Sequence, residues 1–152
     1  MKEVDTREYV GMLRGLVEEG REVSLLISGS SMSPFLCHHR DTVWFKAPDR
    51  KLRKGDMVFY QRSTGQFVMH RIYAIKKDSY YTVGDAQWEI EGPLDRAQIF
   101  AIITKAQRKG KMIGPGDFWW EFFARVWIRV LPLRRELRWL YGKLTFLKHR
   151  LK

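Results

Sequence analysis

The sequence predicts an α+β protein in which an antiparallel, β-rich core lies between an N-terminal helix and an amphipathic helical tail. Short apolar runs separated by Gly, Pro and Asp fill residues 23–104, which is typical of antiparallel strands. Apolar residues at three- and four-residue steps before and after this stretch predict the helices. We therefore expect a helix within residues 1–22, the core at 23–110 and the tail at 111–152.

The N-terminal helix is expected over residues 5–20. Asp5 can cap its first turn together with Glu8 three positions later, and Gly20 supplies a left-handed stop. The apolar positions form one face that can lie on the core: Tyr9, Leu13, Leu16 and Val17.

Six runs predict the strands of the core. They are residues 23–27, 42–46, 57–62, 66–75, 80–83 and 98–104. β-branched and aromatic side chains are frequent in these runs, and such side chains suit a half-buried, pleated surface.

The tail follows a glycine-rich stretch at residues 110–117, and we expect a kink in it at Pro132. Residues 1–104 carry 15 Lys and Arg against 14 Asp and Glu, whereas residues 105–152 carry 13 against 3. The net charge of +11 therefore resides almost entirely in residues 105–152, and it bears on what this part of the chain contacts.

Three interpretations of the tail are open. Paired aromatics at residues 119–120 and 122–123 beside basic residues favour an anionic membrane surface as the partner of residues 117–152. The apolar stripe can instead pack on the core or on another protein. Binding of nucleic acid through the arginines is the least favoured of the three.

A polar turn at residues 28–36, Ser-Gly-Ser-Ser-Met-Ser-Pro-Phe-Leu, follows the first predicted strand. A serine becomes a nucleophile when a neighbouring base takes its proton. His70 lies in a predicted strand and can be that base, since an imidazole with a pKa of about 6.5 is mostly neutral near pH 7. A carboxylate on the other ring nitrogen would hold the imidazole in one tautomer.

Four motifs occur in order: Ser-Met-Ser-Pro at 31–34, Lys-Gly-Asp-Met-Val-Phe at 54–59, His-Arg-Ile at 70–72 and Gly-Asp at 84–85. In this order and spacing they resemble the type I signal peptidase superfamily, which also contains the self-cleaving SOS repressors. The histidine at position 70, where most bacterial members have lysine, is similar to the branch typified by endoplasmic-reticulum and archaeal signal peptidases. The resemblance covers about half of the chain and implies a signal-peptidase-like core.

The resemblance also implies a serine endopeptidase that uses a Ser-His mechanism. Ser31 would be the nucleophile, His70 the general base and Asp85 the acid that orients the base. Asp95 is the second candidate for this acid, because the same branch often has another acid some residues later.

The backbone N–H of Ser31 would bind the oxyanion together with its neighbourhood, and Ser30 and Met32 are the expected oxyanion- and substrate-binding residues. The implied substrate is a peptide or protein, such as a leader or precursor peptide, docked as an added strand. No cofactor is implied. The Cys37-His38-His39 run is not expected to hold a metal, because zinc sites draw on spaced pairs of ligands and no second pair accompanies it.

The expected location is the cytoplasm, peripheral to a membrane and without a transmembrane span. The first residues are charged, and no uncharged apolar run approaches the roughly 18 residues that cross a bilayer.

Two other functions compete with the peptidase. A self-cleaving regulator of the repressor type would cut an Ala-Gly or Cys-Gly bond in its own chain, and neither dipeptide occurs. A catalytically silent module that binds a membrane surface or a partner could use the same fold.

Overall fold

Helix α1, Val4–Glu18, opens the part of the chain that the computed structural model describes, which is residues 4–130. The helix stops as predicted, because Gly20 adopts a left-handed φ of +90° and the Arg21 N–H bonds to the Leu16 carbonyl at 3.1 Å. Since the helix already includes Val4, Asp5 lies inside it and is not its cap.

Eight strands form one antiparallel sheet within residues 4–130, which confirms the α+β class and the β-rich core. They are β1 (Val23–Leu26), β2 (Thr42–Lys46), β3 (Met57–Gln61), β4 (Phe67–Lys76), β5 (Ser79–Val83), β6 (Glu91–Asp95), β7 (Ile99–Arg108) and β8 (Lys111–Ile113). The strand order is β1-β2-β7-β3-β4-β5-β6, and β8 pairs with β7.

Two of these strands were not predicted. β6 contains Gly92 and Pro93, which disfavour a strand, but β6 lies at the edge of the sheet, where a missing N–H is tolerated. β8 pairs with β7 through residues 106–108, so the sheet continues past the expected boundary at residue 110.

One face of α1 packs on the larger of two hydrophobic clusters. Val10, Leu13 and Val17 are buried there, as the helical spacing predicts, although Tyr9 of the expected apolar face is exposed. The second cluster lies over β3 to β7 and is built around side chains such as Val58, Ile72 and Ile102. Two clusters of buried apolar side chains therefore pack against the sheet.

The segment after the sheet begins with helix α2, Phe118–Glu121, and continues as one π-helical and one 3₁₀ turn to Val130. Trp120 and Phe123 are buried, and both rings contact Phe35 of the serine-rich turn. The first part of the expected tail thus packs on the core. Pro132 and the remainder of the tail lie outside the described residues.

No helix within residues 4–130 combines the length and the apolar character needed to cross a bilayer.

Candidate active site

The backbone of Ser31 is held against the loop that follows β5. The Ser31 carbonyl accepts a hydrogen bond from the Ala86 N–H at 2.9 Å. Gly84 approaches so closely that a Cβ at this position would lie 2.5 Å from the Ser31 carbonyl oxygen. On the other side of the turn, the Gly29 N–H donates to His38 Nδ1 at 2.8 Å. Contacts with Gly84, Ala86 and His38 therefore help to fix the conformation of the serine-rich turn.

Ser31 and His70 line the same cleft, which has a volume of about 590 Å³. Ser31 is half-buried on the turn after β1, and His70 on β4 is only 5% exposed. The cleft has largely apolar walls: Val10, Leu25, Ile27, Met32, Phe59, Phe67, Val68 and Met69. The two residues that the sequence nominated as nucleophile and base therefore line one cleft.

His70 is a neutral imidazole at pH 7. Burial lowers the pKa of His70 to about 4, although the negative charges of Glu91 and Asp85 act in the opposite direction. The ring can therefore accept a proton from a neighbouring alcohol without first losing one.

A row of polar side chains crosses four neighbouring strands beside His70. Tyr60 on β3 pairs with Val68, which lies two residues before His70 on the same face of β4. Thr82 on β5 pairs with Ile72, two residues after His70, and with Glu91 on β6. The register alone therefore gathers the hydroxyls of Tyr60 and Thr82, the imidazole and the Glu91 carboxylate.

Hydrogen bonds connect this row. The Tyr60 hydroxyl lies 3.2 Å from His70 Nδ1, and the Thr82 hydroxyl donates to the Tyr60 oxygen at 3.1 Å. Burial raises the pKa of Tyr60, so the phenol keeps its proton near neutral pH.

Glu91 is fixed by Arg62. The guanidinium donates from Nη2 to Oε1 at 2.6 Å and from Nε to Oε2 at 2.9 Å, which is a bidentate pair. Burial raises the pKa of Glu91, but the hydrogen bonds from Arg62 and its positive charge outweigh this effect and leave that pKa below its usual value. Glu91 is therefore an ionised acceptor at neutral pH.

Asp85 has a different partner from the one expected. Both of its carboxylate oxygens accept hydrogen bonds at 2.9 Å from Arg71, and both side chains are buried. Arg71 also donates to the Gly55 carbonyl at 2.9 Å. The expectation that Asp85 orients His70 by a hydrogen bond is thereby corrected, because the residue on Nδ1 is Tyr60.

The other nominated residues are Asp95, Met32 and Ser30, and they line three different pockets. Asp95 precedes a 3₁₀ turn on the exposed end of β6 and lines a separate pocket that contains neither Ser31 nor His70. Met32 is buried in the wall of the cleft. Ser30 is exposed and lines a smaller pocket next to Ser31.

Sequence reasoning missed Tyr60, Thr82 and Glu91. A signal was present for Tyr60, because the phenol ends a run of buried residues in β3 and a buried tyrosine hydroxyl needs a partner. Glu91 gave no such signal, since its strand was itself not predicted.

We compared the chain with protein-family models, curated proteins and solved structures, and none of them matches it. The function has to be inferred from its own residues.

Proposed function

We propose that this protein is a serine endopeptidase of signal-peptidase type, with Ser31 as nucleophile and His70 as general base. The observation that carries the proposal is the shared cleft: one half-buried serine and one buried, neutral histidine line the same apolar-walled groove. Structural serines and histidines are common separately, but a nucleophile and a base facing one cavity are what acyl transfer requires.

The chemistry follows the general route for serine peptidases. His70 takes the Ser31 proton as the Ser31 oxygen bonds to the scissile carbonyl carbon, and a tetrahedral oxyanion forms. The imidazolium then gives this proton to the leaving amine as the C–N bond breaks. A water molecule, deprotonated by His70, attacks the acyl-enzyme, and the proton returns to Ser31 as the acid product leaves.

The substrate in this proposal is an extended leader or precursor peptide. Within the described part of the chain, β1 pairs only with β2, so its other edge can accept a further strand. Leu25 of β1 and Ile27, which follows β1, also line the cleft that contains Ser31. A peptide strand added here would pass the nucleophile.

A fluorophosphonate probe tests the proposal directly. Wild type should be labelled at Ser31, and Ser31→Ala and His70→Ala should abolish or greatly slow labelling. Ser33→Ala and His39→Asn are matched controls, because neither residue lines the cleft, and both should label like wild type. Labelling that persists in Ser31→Ala, or is absent from folded wild type, would support the silent binding module instead.

We also propose that the start of the tail contacts an anionic membrane surface. Phe118 and Trp119 are 72% and 48% exposed, and the Arg108 guanidinium lies over the Trp119 ring. Arg125 and Arg129 are exposed nearby in the chain. Exposed aromatics beside cations are typical of contacts with lipid headgroups.

Co-sedimentation with vesicles of phosphatidylserine and phosphatidylcholine tests this surface. The Phe118→Ser, Trp119→Ser double variant should pellet less than wild type. Trp88→Ser, which removes a comparably exposed tryptophan elsewhere, should pellet like wild type. Equal pelleting of all three proteins would end the membrane interpretation of residues 118–119.

A further inference from the structure

We propose that a second cleft beside His70 binds the part of the peptide that leaves after cleavage, and that Trp88 and Glu89 select a lysine or arginine there. The assignment of this cleft to the leaving peptide rests on the proposed function. The preference for a cation does not, because it follows from the side chains that line the cleft.

The second cleft adjoins the first. It has a volume of about 460 Å³ and lies along the loop between β5 and β6. Arg62, His70 and Gln87 line both clefts, whereas Ser31 lines the first and not the second. The imidazole therefore lies where the two clefts meet, and of these two only the first contains the serine.

Acyl transfer distinguishes the two clefts. The acyl carbon bonds to the Ser31 oxygen, so the residues before the scissile bond have to lie in the first cleft. The leaving nitrogen takes its proton from His70, and the peptide continues beyond that nitrogen. A cleft that His70 lines and Ser31 does not is therefore suited to the residues after the scissile bond.

Exposed apolar side chains form part of the wall of the second cleft. Residues 87–90 are all exposed, and Trp88 and Ile90 among them are 41% and 46% exposed. Both of these side chains line the cleft. The face of an indole attracts a cation, and the stem of a long basic side chain packs on apolar surface. This wall therefore suits Lys or Arg better than a short or an acidic side chain.

The charges in the cleft also favour a cation. Two carboxylates and one guanidinium line it, those of Glu89, Glu91 and Arg62. Arg62 and Glu91 form the bidentate pair described above, so their charges largely compensate each other. Within the described part of the chain no ion pair involves Glu89. The cleft thus presents one uncompensated negative charge next to an indole.

Peptides that mimic the leaving product test the preference without knowledge of the cleavage site. Each has a free N-terminal amine, the group that cleavage creates, and either Lys or Glu as its second and third residues. Two positions are used because successive side chains of an extended peptide point in opposite directions. Titration followed by ¹H–¹⁵N correlation spectra detects weak binding, and Trp88→Phe assigns the indole N–H signal of Trp88.

We expect both the shift of this signal and the dissociation constant to show the preference. The Lys peptide should bind to wild type about 2- to 5-fold more tightly than the Glu peptide, which is the effect of one exposed ion pair. This difference should shrink as the salt concentration rises, since salt screens exposed charges. Equal affinities of the two peptides, or a Trp88 signal that neither peptide shifts, would overturn the inference.

Reversing the charge of Glu89 should reverse the preference. In Glu89→Lys we expect the Glu peptide to bind more tightly than the Lys peptide. Asp78→Lys makes the same change at an exposed turn residue that does not line the cleft, and it should keep the wild-type order. An unchanged order in Glu89→Lys would refute the role of this carboxylate.

Cleavage separates this inference from the proposed function. Where a fluorophosphonate labels Ser31, a peptide library analysed by mass spectrometry should show Lys and Arg enriched just after the cleaved bonds, and Glu89→Lys should remove the enrichment. A labelled protein without this enrichment would keep the peptidase and refute the selection of a cation. An unlabelled protein that prefers the Lys peptide would keep the cation-selective cleft and refute the peptidase.

Discussion

The Arg71 guanidinium holds both oxygens of the Asp85 carboxylate at 2.9 Å, with each side chain at most 1% exposed. Arg71 follows His70 on β4, and Asp85 lies in the loop that carries Gly84 and bonds to the backbone of Ser31. This ion pair therefore joins the strand of the proposed base to the loop that positions the proposed nucleophile.

Removing one member of this ion pair should lower the free energy of unfolding and leave the protonation of His70 unchanged. Asp85→Asn leaves the Arg71 charge buried without its counter-charge, and breaking such a pair costs about 3–5 kcal/mol. We expect urea denaturation to show this loss, while the ring proton of His70 stays on the same nitrogen. Replacing both partners, as in Arg71→Met with Asp85→Leu, should destabilise less than the sum of the two single changes. A shift of the His70 tautomer in Asp85→Asn would restore Asp85 as the orienting acid.

Gly84→Ala should displace Ser31. The new Cβ would lie 2.5 Å from the Ser31 carbonyl oxygen, a backbone atom that cannot move aside alone. We expect a destabilisation of about 1–3 kcal/mol and slower labelling of Ser31 by a fluorophosphonate. Gly15→Ala in α1 meets nothing within 4 Å and should be neutral or stabilising by up to about 1 kcal/mol. Unchanged labelling in folded Gly84→Ala would contradict the close packing at this loop.

The buried imidazole makes stability depend on pH in the acid range. The folded pKa of about 4 lies below the unfolded value of about 6.5, so the unfolded chain binds a proton first as the pH falls. The contribution of His70 is complete above about pH 6.5 and falls by about 3 kcal/mol on acidification to about pH 4. Comparing the free energy of unfolding of wild type and His70→Gln at both pH values isolates the pH-dependent contribution of His70. Parallel curves for the two proteins would show that His70 is not buried in solution.

Trp127→Phe should increase local opening of the loop that contains Asp85 and Ala86. The Trp127 indole N–H donates to the Asp85 carbonyl at 2.8 Å, and losing this bond costs about 1 kcal/mol. We expect faster hydrogen exchange at the Ala86 amide, which bonds to Ser31 one residue away. Trp119→Phe, at a half-exposed ring, should leave this amide unchanged.

Local patterns were enough to predict much of the framework. β2 occupies the residues expected of it, and α1, β1, β3, β4, β5 and the start of β7 lie within one or two residues of the predicted bounds. These segments are either short apolar runs or show the helical period of 3.6 residues, and a turn residue ends most of them. β6 and β8 were missed because one contains Gly92 and Pro93 and the other is three residues long.

The partners within the site were harder to predict, since they depend on register. Ser31 and His70 could be nominated from their motifs, and the fold places them on one cleft. The sequence alone does not show that Asp85 forms an ion pair with Arg71. Nor does it show that Tyr60 on β3 forms a hydrogen bond with His70, its diagonal neighbour on β4. These contacts depend on which strands adjoin and on a stagger of two residues between them.

Trp127 links residues 118–127 to the turn that contains Ser31. Its indole N–H bonds to the Asp85 carbonyl, and the next amide, that of Ala86, bonds to the Ser31 carbonyl. A ligand that displaced the exposed rings of this segment would therefore be coupled to the position of the proposed nucleophile.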